Sequence, residues 1–194
     1  MKLTYRSKFN LESDDHNTSP DIFIPDKGIE HPADSFILCR DKNGNPTAIY
    51  KNNKWDFTPY SHNSNKYEVI HFLSWTSDRN QYVQSLVDEV KWLLFILIYK
   101  VGSGRTGQIS TSTLIAYYYL LRTLMVFCYQ QSNKYRFIKE LVINECLTNP
   151  QWLSSFIKDN KEKEHILSTL RALISHIEYL GEDETNINLG MLST

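Results

Sequence analysis

Apolar residues in the second half of this chain recur at helical spacing. Between Gln81 and Val101, Val83, Leu86, Val87, Val90, Leu93, Leu94, Leu97 and Ile98 fall three and four apart, the pattern of a helix with one buried stripe. Between Ser110 and Gln131, Leu114, Tyr117, Tyr118, Leu121, Leu124, Met125 and Cys128 repeat the pattern. Ser110 is placed to cap the second helix, because its hydroxyl can accept a hydrogen bond from an amide left free in the first turn. A third helix is predicted over Tyr135–Leu147. A short one opens at Pro150, with Asn149 as its cap and Trp152, Leu153 and Phe156 facing inward. The last runs from Lys163 to Leu180 on a stripe of Ile166, Leu170, Leu173, Ile177 and Leu180, and Gly181 ends it.

The first third of the chain follows another pattern. Residues 7–35 are polar, carry Pro20, Pro25 and Pro32, and have few periodic apolar positions, which predicts a loop or a partly ordered arm. Phe36–Arg40 and Ala48–Tyr50 flank an Asn43-Gly44 turn signal and predict a hairpin, with a third strand in KWDFTPY. Trp55, Phe57 and Tyr60 are expected to pack, as aromatic side chains usually do. Tyr67–Ser74 is too short to assign between helix and connector, and residues 67–181 read as helical throughout. The expected fold is mainly α: four to five helices in a bundle, with a small N-terminal β-hairpin or three-stranded element. The expected parts are an arm and β-rich element over 1–66, a helical domain over 67–181, and a linker over 182–194 leading towards a further domain.

Composition narrows the function. The 194 residues are 41% hydrophobic and 13% aromatic, enough for a packed core. Three widely spaced cysteines, Cys39, Cys128 and Cys146, fit reduced thiols in a cytoplasmic protein better than a disulfide framework, and no Cys/His spacing suggests zinc. The longest apolar run, Trp92–Tyr99, is far shorter than the roughly 20 residues of a membrane span, so no membrane partner is expected. Formal net charge is -1, so nucleic-acid binding has to come from a local patch. Such a patch is visible. No Asp or Glu occurs from Val90 to Lys139, while Lys91, Lys100, Arg105, Arg122, Lys134, Arg136 and Lys139 all lie there.

Gly102, Gly104 and Gly107 spell GxGxxG, but a helix precedes them and no acid follows until Glu140. The dinucleotide fingerprint needs a strand before it and an acid about 20 residues after it. The same loop has Gln108 and Ile109 where a phosphate-binding loop needs Lys and Ser/Thr. No nucleotide and no other cofactor is expected. The loop serves as a turn between helices, where glycine permits positive φ, or lets Arg105 approach a DNA phosphate. The six histidines are dispersed and belong to no recognisable triad, with His71 and His176 read as surface or core groups, so this chain is not expected to be an enzyme. Helical geometry points Tyr117, Tyr118 and Tyr119 in different directions, so some belong to the core and one can reach the surface. Tyr119 shares a face with Ser112, Ala116, Arg122 and Thr123, the best candidate for a DNA-facing surface, with Ser110 and Thr113 as further neutral partners.

The run VDEVKWLLFILIYKVGSGRTGQISTSTLIAYYYLLRTLMVFCYQ resembles the core-binding domain of tyrosine recombinases, the phage-integrase-like proteins. In that family a long helix leads to a loop and then to a Ser/Thr-capped second helix. The short and long helices over Leu153–Leu180 also fit its layout, and the resemblance covers about Tyr67–Gly181. It implies a SAM-like helical bundle that grips double-stranded DNA during integration or recombination, with self-association of the intact protein on DNA. The family's catalytic Arg, His-x-x-Arg and Tyr do not carry over. His165 meets Ser168 at that spacing and His176 meets Tyr179. The resemblance therefore implies the DNA-gripping part of a mobile-element integrase, without its catalytic domain. The alternative is a helical module that binds protein partners and whose positive face is incidental.

Overall fold

A computed structural model of the chain describes residues 3–11, 17–25, 31–63, 66–102, 107–130 and 150–178, except for the side chains at 171 and 173–178. Among the described residues, helices predominate over one four-stranded antiparallel sheet. The strands are β1 (Ile37–Arg40), β2 (Pro46–Ile49), β3 (Lys54–Asp56) and β4 (Val69–His71), paired in sequence order. The helices are α1 (Gln81–Ile96), which runs into a π-helical turn over Leu97–Val101, then α2 (Thr111–Gln130), α3 (Pro150–Asp159) and α4 (Glu164–Glu178). Backbone contacts divide the chain into two compact units. The first takes Met1–Ser74 and Leu94–Ile115, and the second takes Trp75–Leu93 and Ala116–Thr194.

In the first unit the sheet is built as the turn and strand signals require. Gly44 has φ +83°, and the Asp41 carboxylate accepts hydrogen bonds from the Asn43 and Asn45 amides (2.8 and 2.9 Å), which closes the turn between β1 and β2. A register shift in β1 lets the successive residues Leu38 and Cys39 both be buried. Trp55 and Phe57 are fully buried, and the Trp55 indole donates to the Ile49 carbonyl (2.8 Å). Two expectations need correction. Val69–His71 is a strand, paired with β3 through Lys54↔His71, Trp55↔Ile70 and Asp56↔Val69, so residues 67–181 are not wholly helical and the sheet has four strands. A segment this short has no period of its own, and the free edge of β3 decides its conformation.

The N-terminal arm is also more ordered than its composition suggests. Tyr5 and Phe23 exchange two backbone hydrogen bonds (2.8 and 2.9 Å), and Lys8 bonds to Ile98 and Ile109 through its own amide and carbonyl (2.7 and 2.8 Å). Phe9 and Phe23 are buried. Phe23, Phe36 and Tyr99 surround Phe95 at centroid distances of 5.0, 5.6 and 4.6 Å. Single aromatic anchors give no periodic signal, yet each removes a large apolar surface from water.

In the second unit, Asn80 caps α1 by accepting from the Val83 amide (2.9 Å). Val83, Leu86, Val87 and Val90 of α1 are buried, as are Leu121, Leu124, Met125 and Cys128 of α2. The Tyr82 hydroxyl donates to the Cys128 carbonyl (3.1 Å), and the Tyr129 hydroxyl donates to Asp78. Phe127 meets Trp152 and Phe156 of α3 edge-on at 6.1 and 5.5 Å. Among the described side chains of α4, Ile166 and Leu170 are buried. By length and composition α2 is apolar enough to cross a membrane, but more than half of it is buried inside the protein, where its apolar side chains build the core. The predicted helix over Tyr135–Leu147, the Asn149 cap, the Gly181 stop and the linker over 182–194 lie outside the described residues.

Candidate functional site

The N-terminus of α2 forms as its sequence requires. The Thr113 amide donates to Ser110 Oγ (3.1 Å), and the Ser110 and Thr113 hydroxyls share a hydrogen bond (2.8 Å). Both hydroxyls are thus engaged in capping. Along the helix the exposed positions are Ser112, Ala116 and Tyr119, followed by half-buried Arg122, Thr123 and Val126. These steps of three and four define one face. Tyr117 and Tyr118 are buried, and Tyr119 is 55% exposed. Among the described residues, the Arg122 guanidinium and the Tyr119 hydroxyl have no hydrogen-bond or ion-pair partner, and Arg122 places a permanent cation with five donors on this face.

In the second unit, this face of α2 forms one wall of a groove whose other wall is the start of α4. The groove has a volume of about 620 Å³. Ala116, Leu120, Val126 and Ile166 supply apolar lining, and Tyr119, Arg122 and His165 supply polar groups. Thr123 and Thr169 also line it, but their hydroxyls donate to the Tyr119 and His165 carbonyls of their own helices (3.0 and 2.7 Å). No Asp or Glu occurs among the described residues that line it.

The structure sorts the residues expected to face DNA. Lys91 is only 2% exposed, so it is removed from the set. Its place in the buried stripe of α1 outweighs its charge, a choice that packing makes and composition does not reveal. Lys100 is half-buried, with its ammonium 5.7 Å above the Tyr5 ring. Arg105, Lys134, Arg136 and Lys139 lie outside the described residues. The structure brings Tyr119, Arg122 and Thr123 together on one face, as helical spacing predicts.

The stretch that is free of acids in sequence is not free of them in space. Glu68, fully buried in the first unit, accepts from the Ser112 hydroxyl at 2.5 Å, and Lys66 lies 3.7 Å from the same carboxylate oxygen. A carboxylate beside the first turn of α2 opposes the positive end of the helix dipole there. Neither Glu68 nor His165 carries a local sequence signal, since each acquires its neighbours only through the fold.

The described residues hold no group of three or more His, Cys, Asp or Glu placed to bind a metal ion. Cys39 and Cys128 are buried and unbridged, and burial pushes the Cys39 thiol up to about 12. In comparison with known proteins, the chain matches no family model, no curated protein and no solved structure.

Proposed function

We propose that this chain is a DNA-binding part of an integrase-like protein, gripping duplex DNA for a catalytic domain carried elsewhere. The observation that carries the reading is one face of α2, where exposed Tyr119 stands with Arg122, and where the described residues supply Arg122 with no partner and the adjoining groove with no acidic lining. Arg122 supplies the permanent charge that a phosphate or a guanine edge requires, and Tyr119 a neutral partner beside it. The sequence layout of a long helix, a glycine loop and a Ser-capped second helix resembles that of tyrosine recombinases and supports the same reading.

The experiment is fluorescence anisotropy of a labelled duplex at several salt concentrations. Non-specific binding is expected at micromolar affinity or weaker, falling with salt by a slope of about 0.9 per phosphate contact. Arg122→Ala is expected to flatten that slope by about one unit if it meets a phosphate. An unchanged affinity and slope in Arg122→Ala would remove this face from the interface. No binding even at low salt would leave the protein-interaction module as the better account.

A further inference from the structure

We propose that the groove between α2 and α4 is a small-molecule site for an amphipathic carboxylate. In this arrangement the acid group is held by Arg122 and the apolar body lies over Leu120, Val126 and Ile166. The inference goes beyond the DNA reading, because it needs no nucleic acid and explains a feature that DNA contact leaves unused, the apolar floor beneath Arg122.

Size comes first. A volume of about 620 Å³ lies within the range of small-ligand sites, roughly 300–1,000 Å³, which are mostly apolar with a few placed polar groups. Polarity comes next. Thr123 and Thr169 would be the obvious polar lining, yet their hydroxyls donate to their own helices. What remains polar is Arg122, Tyr119 and His165, and none of their side-chain polar groups has a partner among the described residues. All three can donate, since an imidazole keeps at least one N–H in either protonation state.

Donors without acceptors, set over an apolar surface and without a carboxylate among the described lining residues, are complementary to an anion on an apolar body. A guanidinium pairs with a carboxylate through two parallel N–H···O bonds, the geometry that singles out arginine for this task. The count of charge favours a carboxylate over a phosphate monoester. Arg122 is the one permanently charged group in the described lining, and a monoanion balances it where a dianion leaves charge over. A cationic amphiphile would meet the guanidinium head-on.

The test is isothermal calorimetry on the full 194-residue chain with three ten-carbon probes. Decanoate, decanol and decyltrimethylammonium are each held below the concentration at which they aggregate, and no DNA is present, so the outcome is independent of the DNA reading. Decanoate is expected to bind one-to-one and about tenfold more tightly than decanol, the gain of a charge-assisted hydrogen bond, with the ammonium weakest. Arg122→Gln, at a half-buried position without partners among the described residues, is expected to keep the fold by circular dichroism and to bring decanoate down to the level of decanol. Val126→Trp, which fills the groove, is expected to abolish binding of both. Equal binding of the three probes to the unaltered chain overturns the proposal without reliance on any variant. So does absence of binding, or a preference for decanoate that survives Arg122→Gln.

Discussion

Glu68 has lost all contact with solvent, yet only one of its carboxylate oxygens has a partner among the described residues. Ser112 donates to Oε1, Lys66 lies near the same atom, and Oε2 is unmatched. A buried charge is tolerated through its counter-charge and hydrogen bonds, and removal of the counter-charge costs more than removal of the charge itself. Lys66→Ala is therefore expected to destabilise the protein by about 1 kcal/mol, and Glu68→Gln by less, as measured by urea denaturation. The reverse order would mean that Lys66 does not compensate Glu68. Sequence reading succeeds at this scale where one helix sets the direction, as with Tyr119, whose angular position leaves it exposed while Tyr117 and Tyr118 are buried. It fails where a side chain answers to a distant segment. Lys91 counts as a cation in sequence and is buried in space, and Ser112 sits in a run without acids yet bonds to one.

Among the elements, the π-helical turn after α1 depends on one glycine. Gly102 has φ 69° and ψ −157°, a region that side chains exclude, and an added Cβ would collide with the backbone carbonyl of Gly107. Gly107 also has positive φ, 65°, but nothing lies within 4 Å of where its Cβ would be. Gly102→Ala is expected to cost about 3 kcal/mol or more, since strain and a backbone clash add, whereas Gly107→Ala should cost about 1 kcal/mol. Thermal melts of the two variants distinguish these cases, and equal losses would contradict the close approach at Gly102. The GxGxxG spelling thus has a structural use at its first and last glycines. The elements legible in the sequence are those with a period of their own: α1, α2, the Ser110 cap and the β1–β2 hairpin with its turn. β4 and the Phe9 and Phe23 anchors are not legible, because their structure comes from a partner strand or an aromatic cluster supplied by other parts of the chain.

At the scale of the whole molecule, the first unit buries several groups that ionise only in alkali. Burial raises the Cys39 thiol from an ordinary 9.0 to about 12 and raises the Tyr60 and Tyr99 phenols above their ordinary 10.0, with the negative charge of Asp21 adding to the effect at Tyr99. The folded state holds these protons at a pH where the unfolded chain has released them. Stability from these groups is therefore complete below about pH 9 and is lost as pH rises towards 12 and beyond. Chemical denaturation followed by circular dichroism should show a falling midpoint above pH 9 from this cause, and a midpoint that rose over that range would contradict the burial of these groups. The proposed DNA contact lies on the face of α2 that carries Tyr119 and Arg122. Photo-crosslinking to a bromodeoxyuridine-substituted duplex at low salt, with peptide mapping by mass spectrometry, tests it. An adduct is expected in the α2 peptide that contains Tyr119, lost when Tyr119 and Arg122 are both replaced by alanine. Crosslinks confined to other segments of the chain, or an adduct that persists in the double variant, would contradict it.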